Sequence, residues 1–486
     1  MADIIIIGGG VAGLSAGIYA QLNGHNATIY ERHFKAGGNL TGWDRGGYHI
    51  DNCIHWLSGT NPATKHYKMW EELGALGDVD IYQADSLYTF EKDGQQISLS
   101  KDIDKMKEDM LAISPEDKKE ILSLVRAVKV VQSWNGTTGV NHNEKGSLMK
   151  RILSAPALLK YHRLTTGELA NRFKHPLLKG FMTALLSDYF SSLALIFVFA
   201  TFSGGNGGIP EGSSCAMVER MTDKFMALGG RLFLNQEAVK INICDKTADS
   251  VTFADGNTAM ADYIIIASDP AVAFGKLLDE KMMPKVLKKQ YNNPKMLRFS
   301  SYHCAFSCDT KELPFHEDFV FEVPDEYRES LHTDYLKIRE FSHEKNFAPE
   351  GKNILQTMTY CVESDACEFI ELSNKDKKAY KNRKKRIASD IENIITSKFS
   401  ELKDKIKCID VWTPATYRRY TESEIGSYMS FAFPSKIFPR RISNRLAGID
   451  NVILATQWLQ SPGGLPIAAK AGKQAIETIM RKERRK

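Results

Sequence analysis

Residues 3–13 read DIIIIGGGVAG, and residues 14–31 continue LSAGIYAQLNGHNATIYE. Four consecutive β-branched residues, Ile4 to Ile7, are the pattern of a strand buried on both faces. Gly8, Gly10 and Gly13 follow as G-x-G-x-x-G, and Leu14 to Asn23 carries small and apolar residues at helical spacing. Gly24 and His25 break that helix, and Asn26 to Tyr30 supplies a second strand ending at Glu31. This is a β–α–β unit in about thirty residues. Gly8 permits the tight turn, Gly10 lets backbone approach a pyrophosphate, and Gly13 allows close helix–sheet packing. The phosphates would sit at a helix N-terminus, whose free N–H groups and dipole favour anions. Glu31 stands 23 residues after Gly8, where a carboxylate contacts ribose hydroxyls. It would also repel a 2′-phosphate, which disfavours NADP and leaves NAD and FAD.

The rest of the composition is that of a globular chain. Among 486 residues, 43% are hydrophobic and 25% charged, with 64 basic and 59 acidic side chains, so disordered, collagen-like and disulfide-scaffold classes are excluded. The charge is uneven: residues 375–386 carry +7 and residues 481–486 carry +4, leaving the remainder mildly acidic. Such runs are solvated helix ends, able to contact anionic lipid weakly at a membrane periphery. No groove-reading or base-stacking element accompanies them, so no nucleic-acid partner is expected. The eight cysteines form no C-x-x-C and no zinc module; His303, Cys304 and Cys308 lack a second half, so no metal is expected. Free thiols point to a reducing, cytoplasmic compartment. The apolar N-terminus lacks the basic region of a secretion signal, and the apolar stretch 193–202 runs into SGGNGG, too short to span a bilayer.

Beyond the first unit, 101–202 reads as helices, with a capping box at Thr165 and Glu168 and a strongly apolar helical region over 177–202. That region is expected to be core, and also the wall of an apolar tunnel. Strands are expected over 231–244, 250–253 and 258–267, with a hairpin turn at Asp255-Gly256. Residues 296–412 mix strands with one long helix whose Ile387, Ile391, Ile394 and Ile395 share a face. A late buried strand lies at 449–456, and Ser461-Pro462-Gly463-Gly464 opens an alanine-rich helix. No Ser–His–Asp, zincin or Walker pattern is present, which leaves hydrolase and phosphotransferase readings unsupported.

Several stretches together carry a family resemblance. ERHFKAGG (31–38) looks like the extension of FAD-dependent oxidoreductases of the amine oxidase type. GGNLTGWDRGGYHID (37–51), NCIHWLSG (52–59), GIPEGS (208–213), TPATYRRYT (413–421) and NVILATQWLQSPGGLPIAAKAG (451–472) resemble the phytoene desaturase, carotenoid isomerase and retinol saturase group. The chain departs from that group at Asn39, where many relatives have Arg, and at Ser213, which replaces the second glycine of a loop.

The resemblance implies an α/β fold: a Rossmann-like FAD-binding domain of glutathione reductase type, with an interleaved α+β substrate domain. The expected segments are 1–100, 205–290 and 430–486 for the first, and 101–204 and 291–429 for the second. It implies that Gly8, Gly10, Ala12, Gly13, Glu31, Arg32, Gly38 and Asn39 surround the ADP half of FAD, that Val239 reads adenine through its backbone, and that Gly463, Gly464, Leu465 and Pro466 lie against the isoalloxazine. Gln457 joins this set, and His55 and Trp56 approach the flavin or the substrate. His55 is the expected proton donor or acceptor, with Tyr420 second; Asp51 is expected to brace its loop. The implied reaction is hydride exchange between flavin N5 and a C–C bond of an apolar, isoprenoid-like substrate. A flavin amine oxidase and a non-catalytic lipid-binding relative are the alternatives. Substrate identity, direction, electron partner and oligomeric state stay open.

Overall fold

A computed structural model describes residues 1–133, 156, 158–432, 434–437 and 440–484. Its first layer is a parallel sheet of five strands in the order Arg231–Phe233, Asn26–Tyr30, Asp3–Ile7, Tyr263–Ile266, Val452–Leu454. The isoleucine run is explained by its two faces. Ile4 and Ile6 join a core with the helices Val11–Leu22 and Leu465–Glu483, whereas Ile5 and Ile7 join the core on the other side. Gly472 lets these two helices touch, since a Cβ there would lie 2.4 Å from the Ala12 carbonyl oxygen.

The sheet is therefore built from both ends and the middle of the chain. The three-stranded meander Ala238–Cys244, Thr247–Phe253 and Thr258–Met260 covers one side, with the Asp255-Gly256 turn where expected. Residues 231–244 are not one strand: Arg231–Phe233 stays in the parallel sheet, and the chain turns at Asn235 (φ +55°) before entering the meander.

The second layer is a seven-stranded sheet in the order Ile406–Trp412, Phe299–Cys308, Asn353–Val362, Tyr335–Glu340, Asp318–Glu322, Ser86–Lys92, Gln95–Ser100. Residues 86–100, grouped by sequence with the dinucleotide segments, belong here instead. Their place is fixed by pairing with residues 319–321, more than 220 positions away, which no local pattern reveals. One face carries the helices Ile103–Ile113, Lys118–Gln132, Pro176–Ala184 and Ser192–Ser203. The other carries Glu363–Lys375 and Lys377–Lys398, and buries the isoleucine stripe at 387, 391, 394 and 395.

The apolar helical region expected over 177–202 is two helices, whereas the long helix carrying Ile387, Ile391, Ile394 and Ile395 is one, Lys377–Lys398. Residues 177–202 break at 185–191, where Ser191 caps the second helix by accepting the Leu193 N–H. A separate helix, Glu363–Lys375, precedes the long one, and Asp376 caps the long helix, its carboxylate accepting the Lys378 and Ala379 N–H groups. The capping box at Thr165 and Glu168 is formed as read. The basic run 375–386 spans the Asp376 break; Arg383 lies over the Phe369 ring and pairs with Glu368. Residues 485 and 486 of the basic tail lie outside the described residues. Among the described residues, no helix is long and apolar enough to cross a membrane, and no cluster of metal-binding side chains forms.

Candidate active site

A cavity of about 920 Å³ joins the two layers, running from Gly8 and Glu31 past Gly463–Pro466 to the helices around Phe197. At one end it is lined by backbone. Gly13 packs so tightly beneath the turn that a Cβ would sit 1.9 Å from the Gly8 carbonyl oxygen. Gly10 is different: a Cβ there would point into the open space, with nothing closer than the Gly37 oxygen at 3.8 Å. The helix Val11–Leu22 starts at Gly10 with no side-chain cap and no acidic residue in its first turn, so its N–H groups face the cavity uncompensated.

Glu31 is 8% exposed, and its carboxylate accepts the N–H groups of Gly9 (2.7 Å) and His33 (2.8 Å). Burial raises its pKa, and these backbone N–H groups work against that shift. Arg32, expected at the ADP half, lines the same end while pairing with Glu422 at 2.8 Å and donating to the Arg419 carbonyl. Gly38 and Asn39 also line the cavity, and the Asn39 carbonyl accepts the Asn52 amide at 2.9 Å.

In the middle of the cavity the helix Leu465–Glu483 begins at Gly464, again with no side-chain cap and no acid in its first turn. Gln457 accepts the Gly464 N–H at 2.8 Å and donates to the Tyr428 carbonyl, which fixes the approach loop. Two uncapped helix starts thus open into one elongated space, one beside a buried carboxylate. That arrangement would suit a dinucleotide carrying a flavin: the first helix start favours an anion, the Glu31 carboxylate could accept ribose hydroxyls, and the second helix start favours a further electronegative group.

Val239, on the strand Ala238–Cys244, follows directly on Gln236, Glu237 and Ala238, which line the cavity. Tyr420 lines the cavity at the Glu31 end, its ring 3.9 Å from His33, so it belongs with the cradle. His55 and Trp56 line the cavity, and burial, together with the charges of Arg339 and Lys337, pushes the His55 pKa well below the ordinary value.

Asp51 braces as expected. Buried, it accepts from the Ser214 N–H and hydroxyl (each 2.8 Å) and from the Cys53 and Ile54 N–H groups. Ser213 occupies its loop at φ +46° and donates to Glu344 at 2.8 Å, so its side chain finds a partner despite a left-handed backbone.

The far end of the cavity is built from side chains. The helix Ser192–Ser203 is apolar all round, and space divides it: Leu195, Ile196 and Phe199 are buried in the core, while Ala194, Phe197 and Val198 line the cavity with Leu185, Leu186 and Phe190. Opposite lies one face of the seven-stranded sheet. His303 pairs in register with Met358, and Ser301 with Tyr360; all four line the cavity, as does Lys337 on the neighbouring strand.

His303 Nε2 lies 2.8 Å from the Ser301 hydroxyl and 3.0 Å from that of Tyr417, which in turn donates to Asn52. Burial, with the Lys337 charge second, lowers the His303 pKa to about 3. Sequence reading passed over Ser301, Lys337 and Tyr360, weighed His303 only as half a metal site, and quoted Tyr417 only within a shared block. On the strands the signal is alternation, whose orientation is set by tertiary packing, while Tyr417 lies on the helix Pro414–Thr421.

A family model for flavin containing amine oxidoreductases matches residues 11–480. The chain belongs to that family. This flavoprotein is 23% identical over 450 residues to a chloroplastic prolycopene isomerase of Daucus carota, covering 88% of this chain and 71% of the relative. It is 20% identical over 505 residues to a 4,4′-diapophytoene desaturase of a Methylomonas species, covering 99% and 96% of the two chains. Among solved structures, cyclohexylamine oxidase from Brevibacterium oxydans superposes with a TM-score of 0.63 at 14% identity, covering 99% of each chain. An oxidoreductase from Methanosarcina mazei superposes at 0.61 with 16% identity, covering 99% of this chain and 100% of that one. The flavoprotein is an FAD-dependent oxidoreductase of α/β fold.

Proposed function

We propose that this enzyme exchanges a hydride with a C–C bond of an apolar, isoprenoid-like substrate, interconverting a single and a double bond. The observation that carries this is the apolar stripe of Phe190, Ala194, Phe197 and Val198 in the same cavity as the glycine cradle. The FAD, when bound, supplies the hydride acceptor or donor. Gly8, Gly10, Ala12, Glu31, Gly38 and Asn39 hold its ADP half, and Gly463, Gly464, Leu465 and Pro466 its ring. The apolar stripe excludes water and aligns the chain of the substrate. His55 lines the cavity as the candidate proton donor or acceptor, and the His303–Tyr417–Ser301 set offers hydroxyl and imidazole groups at the same floor.

The curated relatives named as carotenoid isomerase and desaturases support this substrate class. The amine-oxidase neighbours support the fold. A cationic amine would meet the Lys337 ammonium on the wall, and the lining carboxylates are occupied: Glu31 by backbone, Glu422 by Arg32, Glu237 by Lys276, and Asp269 by the Ala271 N–H. A protonated amine is disfavoured on that ground.

The division of labour follows the two layers, with residues 1–85, 205–290 and 430–486 forming the dinucleotide-binding part and 86–204 and 291–429 the substrate part. The basic runs 375–386 and 481–486 would give weak, salt-sensitive contact with anionic lipid, at roughly 1 kcal/mol per basic residue near the surface. Anaerobic mixing with isoprenoid lipids and with small amines tests the reaction. Bleaching of the oxidised flavin band by a lipid, or its recovery by an unsaturated lipid after reduction, is expected; rapid bleaching by an amine with no lipid response overturns the reading.

A further inference from the structure

The floor of the cavity holds a charge that hydride exchange with a hydrocarbon does not use. Lys337 lines the cavity and its side chain is 15% exposed. Its strand neighbour Arg339 stands directly opposite Asp318 in the sheet register, and Asp318, 1% exposed, is 2.7 Å from both Arg339 Nε and Lys337 Nζ. Arg339 is otherwise spent on backbone, donating to the Ile54 carbonyl at 2.9 Å and to the His55 carbonyl. One carboxylate therefore serves two cations. Glu317 and Glu340 act on the Arg339 end, where Glu317 bonds Tyr82 and Glu340 accepts the Glu317 and Ser342 N–H groups.

The groups beside Lys337 on the floor are neutral. The pairing of Ile338 with Thr357 and of His303 with Met358 sets Lys337, Met358 and His303 in one row across three strands. His55 and His303 both feel the Lys337 charge. An ammonium has three donors, and Asp318 is its one ion-pair partner among the described residues. A plain hydrocarbon filling the cavity would strip water from the remaining donors without replacing it, which is costly for a charged group.

We propose that Lys337 anchors a carboxylate carried on the apolar ligand, so that the substrate is an apolar-chain acid rather than an unsubstituted hydrocarbon. The carboxylate bonds Lys337 Nζ on the sheet floor while the chain lies along Phe190, Ala194, Phe197 and Val198. This rests on the reaction class proposed above and narrows it. Lys337 is a specificity-determining residue here and takes no part in the hydride step.

Binding to the oxidised holoenzyme, read without turnover as quenching of tryptophan emission, tests it with farnesoic acid, farnesol and farnesene, which share one chain. The acid is expected to bind roughly 10- to 100-fold tighter than farnesene, with the alcohol between them. Lys337→Met should abolish that preference, weakening the acid and tightening farnesene because the cost of drying the ammonium is gone, with flavin content retained, and Lys337→Arg should keep most of it. Palmitoleic acid distinguishes the chains: binding as tight as farnesoic acid supports the anchor with a straight chain, and weaker binding supports it with an isoprenoid one. Equal affinity of the wild type for farnesoic acid and farnesene overturns the inference alone, whether or not the methionine variant folds. An undiminished acid preference in a flavin-replete Lys337→Met does the same. Failure of every apolar probe, with reduction by a small amine, overturns this inference and the proposed reaction together.

Discussion

The two ends of the cavity are made differently. The cradle is backbone: Gly8, Gly10 and Gly13 lie within six residues, and Glu31 is one strand further on. The substrate wall is side chain, gathered from 185–198, 301–303, 337, 358–360 and 417. A backbone site leaves a signature in the sequence because few residue types satisfy its sterics. A side-chain wall leaves little, because many apolar residues fill the same space.

The sharpest break in the comparison is expected at Gly13. Gly13→Val should give no folded, flavin-bearing protein, because even its Cβ would overlap the Gly8 carbonyl at 1.9 Å. Gly10→Ala should fold normally and lose flavin, since its Cβ enters only the open cradle. Circular dichroism beside the flavin-to-protein absorbance ratio separates the two outcomes.

Next in size is a contrast within one helix. Phe199→Ala, wholly buried, should cost about 3–5 kcal/mol in denaturant unfolding. Phe197→Ala, on the cavity face, should cost much less stability and weaken lipid binding instead. Equal stability losses would mean that the helix is core on both sides.

The sheet floor should show itself in acid. His303 has its pKa lowered to about 3 by burial first and Lys337 second, so the unfolded chain binds its proton more tightly than the native one. Stability should therefore fall as pH drops from about 6.5 toward 3, by an amount of the order of a few kcal/mol. His303→Gln should flatten that part of the curve, and an unchanged slope would place the acid sensitivity elsewhere.

Glu31→Ala gives a smaller effect, confined to the cradle. Flavin affinity should fall by about 1.5–3 kcal/mol per charge-assisted bond lost, with an unchanged far-UV spectrum. Retained occupancy would remove the ribose from Glu31.

By itself the sequence determined the β–α–β unit, the glycine cradle, Glu31, the terminal Gly463–Pro466 turn and the isoleucine face of 387–395. Each rests on short-range sterics or on a single helical period, so neighbouring residues carry all the information. Only the tertiary structure decided that Ser86–Lys92 pairs with Asp318–Glu322 and that Tyr420 lines the cavity beside His33. It also decided that the apolar helix 192–203 shows one face to the core and the other to the cavity, a division that its uniform composition cannot encode. The row of Lys337, Met358 and His303 has the same origin. Strand register joins residues about twenty to more than two hundred positions apart, and that pairing is settled by packing between layers rather than by any local preference of the chain.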